Sequence, residues 1–300
     1  IANLFGWKRH DAQGREVRRY RKLLLYIPRK NGKTPLAAAI CLLVLMTDGE
    51  QGAQIYGAAG DADQASLLFR HAVGMVEAEP ELASRLRIYT GQGQKSILYG
   101  AERSFYKVVS GRPHGRHGYN PSMVLIDELH VADRDMVTAL TSAFVSLNRK
   151  QPLTVYITTA DYERESVCNE THDYACKVRD GVIKDPAFLP AIWETSREDA
   201  DATVDTPDGP RPYWTTPECW ARVNPNLGVS VNPEFLEAEC KVAMVNPAAE
   251  GEFKRLYLNC KMEVVSRWLN MAKWDACAAD VASPEEWRAT QLEELRGEPC

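Results

Sequence analysis

The sequence predicts an α/β fold, with a mostly parallel central sheet flanked by helices and a smaller helical subdomain after it. Three stretches carry this reading. The run Leu23-Leu24-Leu25-Tyr26-Ile27 passes through a short turn into a helical apolar stretch, Leu36 to Met46. A second run, Met123-Val124-Leu125-Ile126, ends in Asp127-Glu128, and a third, Leu153 to Ile157, ends in Thr158-Thr159. Unbroken apolar strands separated by helical patterns suit a parallel sheet covered on both faces.

The chain of 300 residues allows one large domain, or a large one and a small one. We divide it into a core at 1–196 and a helical lid and linker at 197–300. Hydrophobic residues make up 45% and charged residues 26%, as in an ordinary globular protein rather than a disordered or membrane chain. The longest apolar run, Leu36 to Met46, is too short to cross a bilayer, and no signal peptide is visible. The eight cysteines form no Cys-x-x-Cys pair and match no histidine spacing, so reduced thiols of a cytosolic protein are expected rather than disulfides or zinc. Because the chain begins at Ile1 and ends at Cys300 without a stop signal, we expect a fragment of a longer polypeptide.

The net charge of −5 argues against a uniformly basic nucleic-acid binder. The start is nevertheless basic, with Lys8, Arg9, Arg15, Arg18, Arg19, Arg21 and Lys22 against only Asp11 and Glu16. Two readings stand: a solvated face, or a contact with DNA, nucleotide or a neighbouring subunit.

The strand at Leu23 leads into Pro28-Arg29-Lys30-Asn31-Gly32-Lys33-Thr34, and the helix begins at its end. A strand, tight turn and helix in this order make a phosphate-binding loop. Backbone N–H groups and the positive helix end surround an anion. Lys33 reaches the outer phosphates, the Thr34 hydroxyl can ligate Mg²⁺, and Gly32 lets the backbone approach closely. The full pattern wants a glycine seven residues before the hydroxyl, where Ile27 stands. Pro35, next after the hydroxyl, has no N–H to offer a phosphate.

Ala53 to Ala59 reads as a strand, and Asp61 as the N-cap of the following helix through Leu68 and Val76. Short strands are expected at Leu86–Tyr89, Ser96–Tyr99 and Ser104–Val109, then a basic loop from Gly111 to Gly118. His114 and His117 lack a third ligand at metal spacing, so the loop is a candidate phosphate or DNA contact instead.

At the carboxyl end of its strand, Asp127 can hold Mg²⁺ through water, and Glu128 can take a proton from a water that attacks the γ-phosphate. Asp133 caps the next helix. Thr158 and Thr159 end a strand where a hydroxyl can contact the γ-phosphate or its attacking water. Phe188 to Trp193 suits a last strand, Ser196 to Thr216 a long loop, and Pro217–Val223, Pro233–Val245 and Pro247–Leu258 three helices. Trp268, Trp274 and Trp287 are expected as packing anchors.

Taken together, the chain resembles the large terminase subunit of tailed bacteriophages. The resemblance rests on Pro28 to Thr34, on Tyr56-Gly57-Ala58-Ala59 with Gln64, and on Asn120-Pro121-Ser122 leading into Val124 to His130. Thr158-Thr159-Ala160 and Asn224-Pro225-Asn226-Leu227-Gly228 add to it. It implies a P-loop NTPase core of the additional-strand, catalytic-glutamate type, in which Ile27 is no objection. Lys33 and Thr34 would serve ATP and Mg²⁺, Asp127 would be the second metal residue and Glu128 the catalytic base. Thr158 and Thr159 would match the coupling motif, and Arg29 an arginine that offsets transition-state charge. The implied assembly is a ring, commonly of five subunits, on double-stranded DNA at a procapsid. A portal protein and a small terminase subunit would be its partners, in the cytoplasm of an infected bacterium. The family's adenine-contacting segment is not evident near Ile1, and its nuclease would belong to the longer parent chain. The alternatives are another nucleic-acid ATPase of helicase type, or a ring module that binds nucleotide without hydrolysis.

Overall fold

The computed structural model of the chain describes residues 1–91, 95–110, 119–145, 149–207 and 209–263. A short helix, α1 (Ala2–Gly6), and a hairpin of β1 (Lys8–His10) and β2 (Glu16–Arg18) precede the first buried strand, β3 (Lys22–Tyr26). Next come α2 (Lys33–Thr47), β4 (Gln54–Ala59), α3 (Ala62–Ala78), α4 (Pro80–Arg85), β5 (Leu86–Tyr89), β6 (Ser96–Tyr99) and β7 (Ser104–Ser110). They are followed by β8 (Met123–Asp127), α5 (Arg134–Ser142), β9 (Leu153–Thr158), β10 (Tyr162–Glu163), α6 (Val167–Arg179) and β11 (Phe188–Ile192). The last described elements are α7 (Arg197–Asp201), β12 (Thr203–Thr206), β13 (Gly209–Pro212), α8 (Pro217–Val223), α9 (Pro233–Val245), α10 (Pro247–Tyr257) and β14 (Met262–Glu263).

Eight strands form the central sheet in the order β11-β3-β9-β8-β4-β7-β6-β5. From β11 to β7 every pair is parallel, and β6 runs antiparallel to both its neighbours. The sheet is therefore mostly parallel, and β9 is the strand inserted between β3 and β8. Register pairs Tyr26 with Thr158 and Ile157 with Asp127, so three strand ends lie side by side.

Alternate residues of the same strands feed two cores. Leu23, Leu25, Leu125, Val155 and Ile157 pack with Ala37, Ile40, Cys41 and Leu45 of α2, and with Leu68 and Ala72 of α3. Leu24, Tyr26, Val124 and Ile126 pack with Met136 and Leu140 of α5, and with Cys168 and Ala175 of α6. Because α2 is buried along most of its length, its apolar residues form no narrow stripe. Asp61 caps α3 by accepting from Asp63 N and Gln64 N, and Asp133 caps α5 by accepting from Asp135 N. Such caps stabilise a helix by about 1 kcal/mol each.

A third core joins Ala200, Trp214, Cys219, Trp220, Leu236, Cys240 and Phe253. It is built by α8, α9 and α10, each opened by proline in its first turn and capped by Thr216, Asn232 and Asn246 respectively.

The structure departs from the sequence reading in two places. Ser196 to Thr216 is not a plain loop: Ser196 caps α7, and β12 pairs with β13 around a turn in which Gly209 has φ +106°. Its turn-forming residues are the corner of a hairpin too short to show alternation. Helix α6 has no clear sequence signal, because its buried stripe includes the polar Asn169 and His172 beside Cys168 and Ala175.

Part of the basic N-terminus is spent within the fold, while Lys8, Arg9, Arg15 and Lys22 are exposed. Arg18 is 1% exposed, pairs with Asp48 at the end of α2, and donates to Gln151 O at 2.6 Å. Arg15 pairs with Asp11, Arg19 lies over the Trp7 and Tyr20 rings, and Arg21 donates to Lys150 O. The loop at 111–118 and the three C-terminal tryptophans lie outside the described residues. Among the described residues no helix is long and apolar enough to cross a membrane.

Candidate functional site

Strand β3 ends at Tyr26, and Ile27 N still donates to Thr158 O at 3.1 Å. Ile27 thus extends the ladder to the inserted strand, so the glycine of the usual loop pattern is not needed there. The left-handed turns come later, at Lys30 (φ +67°) and Gly32 (φ +77°). Gly32 is the N-cap of α2 and has no side chain to cap it, which leaves the first-turn N–H groups for an anion. Pro28 and Asn31 are buried, while Arg29 and Lys30 are exposed.

Lys33 is buried and folds back on the loop, donating from Nζ to Ile27 O at 3.2 Å and Pro28 O at 3.1 Å. Burial lowers its pKa to about 8 against the opposing pull of Glu128 and Asp127. Asp127 is 1% exposed, accepts from the half-buried Thr34 side chain and takes Glu128 N at 3.0 Å. Burial, with the Glu128 charge beside it, raises its pKa to about 6.

Glu128 adopts a left-handed backbone (φ +54°, ψ +56°), a conformation that costs a non-glycine residue energy and marks functional sites. Burial alone would raise its pKa; the His130 ring and the charges of Lys33 and Arg29 overcome this and hold it below the usual value. His130 Nδ1 lies 3.2 Å from Glu128 Oε2 and 3.1 Å from Thr158 Oγ1. One ring proton cannot serve both at once. Thr158 Oγ1 also accepts His130 N at 3.2 Å and donates to Thr159 O at 2.9 Å. Thr159 is fully buried and, among the described residues, its Oγ1 has no partner.

The structure therefore gathers Lys33, Thr34, Asp127, Glu128, Thr158 and Thr159 at the carboxyl ends of β3, β9 and β8. Arg29 reaches Glu128 and Lys33 through its charge. His130 went unassigned in the sequence reading; its place three residues after Asp127 was the available signal.

Sequence reasoning also missed a set of contacts from the third core. Asn31 Nδ2 donates to Asn224 Oδ1 at 2.7 Å, Asn226 N donates to Asn31 Oδ1 at 3.2 Å, and Asn226 Nδ2 donates to Asn31 O at 3.0 Å. Ser230 Oγ donates to Lys30 O at 2.6 Å, and Arg29 N to Leu256 O at 2.9 Å. The loop is bridged to residues about two hundred positions away.

A separate polar group lies below Tyr26. His172 stacks on its ring at 4.3 Å, with Nε2 2.6 Å from Glu194 Oε2, and Arg179 also meets Glu194. Burial would lower the His172 pKa, but its contacts with Cys176 and Glu194 raise it to about 9. This is the signature of an imidazolium–carboxylate pair tying α6 to the edge strand.

A family model described as the terminase large subunit, ATPase domain, matches residues 1–177. The chain is 28% identical over 271 residues to the large terminase subunit of Enterobacteria phage HK97, covering 89% of this chain and 49% of that protein. It spans about half the length of that relative. The crystal structure of the HK97 large terminase aligns with a TM-score of 0.69 and 26% identity, over 88% of this chain and 52% of that one. The large terminase ATPase domain of Thermus phage P74-26 aligns with a TM-score of 0.54 over 86% of this chain and 96% of that one; at 17% identity it bears on the fold alone.

Proposed function

The chain belongs to the terminase large-subunit ATPase family, and on that premise we propose that it hydrolyses ATP to drive double-stranded DNA into a procapsid. The observation that carries the reading is the convergence of Lys33, Asp127, Glu128 and the Thr158-Thr159 tip on three adjacent strand ends. A protein that only bound nucleotide would have no use for a carboxylate held ionised beside a cationic loop.

Lys33 exchanges its two loop carbonyls for phosphate oxygens. The Thr34 hydroxyl and the Asp127 carboxylate are hard oxygen donors already in hydrogen-bond contact, which fits Mg²⁺. When bound, that ion would offset charge on the phosphates. Glu128 accepts a proton from water as the water oxygen bonds to the γ-phosphorus and the bond to the ADP oxygen breaks. Arg29 offsets charge from the exposed side of the loop. Thr158 bonds both the His130 segment and Thr159, so strand β9 is placed to register a change at Glu128.

The same reading takes residues from 197 onward as a lid subdomain and makes the working form a homo-oligomeric ring, commonly a pentamer. Its proposed partners are double-stranded DNA, the portal protein and the small terminase subunit, in the infected host's cytoplasm. Any nuclease is assigned to a longer parent chain.

The test is Mg²⁺-dependent ATP hydrolysis over a range of protein concentrations, beside Glu128→Gln. Loss of a general base costs roughly 10²–10⁴ in rate. Turnover rising faster than linearly with concentration, and abolished in the variant, supports an assembling motor with Glu128 as base. Equal turnover in both removes Glu128 from the mechanism.

A further inference from the structure

The phosphate loop is not self-supporting. Lys30 sits in the left-handed region without being glycine, and such backbone persists only where its surroundings over-determine it. What surrounds it is the third core: Ser230 Oγ on Lys30 O, Asn226 on both the side chain and the backbone carbonyl of Asn31, and Asn224 Oδ1 on Asn31 Nδ2. Asn224 is itself fixed, donating to Trp220 O at 3.1 Å and Tyr257 O at 3.0 Å, so its acceptor is aimed by α8 and the end of α10. We propose that Asn224 and Asn226 are positioning residues for the nucleotide, which hold the phosphate loop in its anion-binding shape through Asn31.

The carbonyls of the loop give the arrangement a further consequence. Pro28 O accepts from both Lys33 Nζ at 3.1 Å and Asn31 Nδ2 at 3.3 Å. When Lys33 turns to a phosphate, Asn31 is the donor that remains for that buried carbonyl, and leaving it unpaired would oppose binding. Asn31 can do this only while Asn224 and Asn226 hold its amide in place. Linkage makes the effect reciprocal: a link that favours the nucleotide-binding loop is itself strengthened by the nucleotide. Nucleotide in the loop thereby stabilises α8 and α10 against local opening.

The inference rests on the nucleotide reading above, and the experiment separates the two. Binding of ADP with Mg²⁺ is measured by calorimetry for the wild type, Asn31→Ala, Asn224→Ala, Ser230→Ala and the double variant Asn31→Ala/Asn224→Ala, with thermal melting of each. Ser230 is exposed, so its variant tests the loop contact without threatening the fold. Asn31→Ala and Asn224→Ala are each expected to weaken binding about fivefold. The double variant is expected to bind no worse than the weaker-binding single, because both singles remove the same bond, Asn31 Nδ2 to Asn224 Oδ1. Hydrogen exchange of Pro217–Val223 and Pro247–Tyr257 is expected to slow on adding ADP in the wild type and not in Asn31→Ala.

Wild-type binding with additive variants, or with unchanged affinity in all of them, overturns the positioning role and leaves the nucleotide site standing. Nucleotide-dependent exchange that survives in Asn31→Ala also overturns it. Failure of the wild type to bind nucleotide removes the functional reading itself.

Discussion

Replacing Pro35 with alanine is expected to tighten nucleotide binding while making the free protein less stable. Gly32 caps α2, and the first helical bond is closed by Leu36 N on Gly32 O at 3.1 Å. Lys33 and Thr34 therefore keep free N–H groups facing the anion site, and Pro35, third in the helix, adds none. Alanine restores one donor at the positive end of the helix. One such bond is worth about 1 kcal/mol, which is roughly a fivefold lower Kd. The proline ring also has a stabilising effect of its own, since its fixed φ suits a first turn and restricts the unfolded chain. Removing it costs about 0.4–1 kcal/mol of stability in the nucleotide-free state. Pro35 is only partly buried, so lost packing adds little. Calorimetry with MgADP and melting of the free protein read the two effects separately. An unchanged or higher Kd in a variant with wild-type circular dichroism would refute this account of the loop.

The pH profile of kcat/KM, which reports the free protein, is expected to be bell-shaped. Below about 6 Asp127 takes up its proton and loses its hold on a cation; above about 8 Lys33 loses its charge, and phosphate binding weakens. The stability signs follow from linkage. The folded Asp127 pKa lies above its ordinary value of 3.8, so its contribution to stability falls as pH rises from there to about 6. Lys33, shifted down from 10.5, makes a contribution that rises as pH climbs from about 8. A kcat/KM flat between pH 5 and 9 would contradict both limbs. Asp48→Ala is expected to be severely destabilising, because among the described residues it leaves the Arg18 guanidinium with only the Gln151 carbonyl and the Phe5 ring beside it. Breaking a buried pair costs about 3–5 kcal/mol, and a melting temperature within a degree or two of wild type would contradict it.

Local order carries much of this protein. A buried strand running into a turn and an apolar helix identifies the phosphate loop, since its chemistry needs only neighbours in sequence. The acids after Ile126 and the hydroxyls after Ile157 are legible for the same reason: strand ends in a parallel sheet are where ligands meet the fold. Caps at Asp61 and Asp133, and the prolines that open α8, α9 and α10, are likewise local signals.

Tertiary structure decided what depends on partners far along the chain. Arg18 looks like one more charge in a basic run until Asp48 is found against it. Helix α6 hides its buried face because His172 is satisfied by Glu194, which sequence periodicity cannot see. Asn224 and Asn226 belong to a motif with no chemistry of its own; only the approach of the third core to the loop gives their amides Asn31 to hold. Hydrophobic periodicity and turn chemistry are short-range and written in order, whereas the pairing of a buried charge or amide is settled by whichever distant group the fold brings to it.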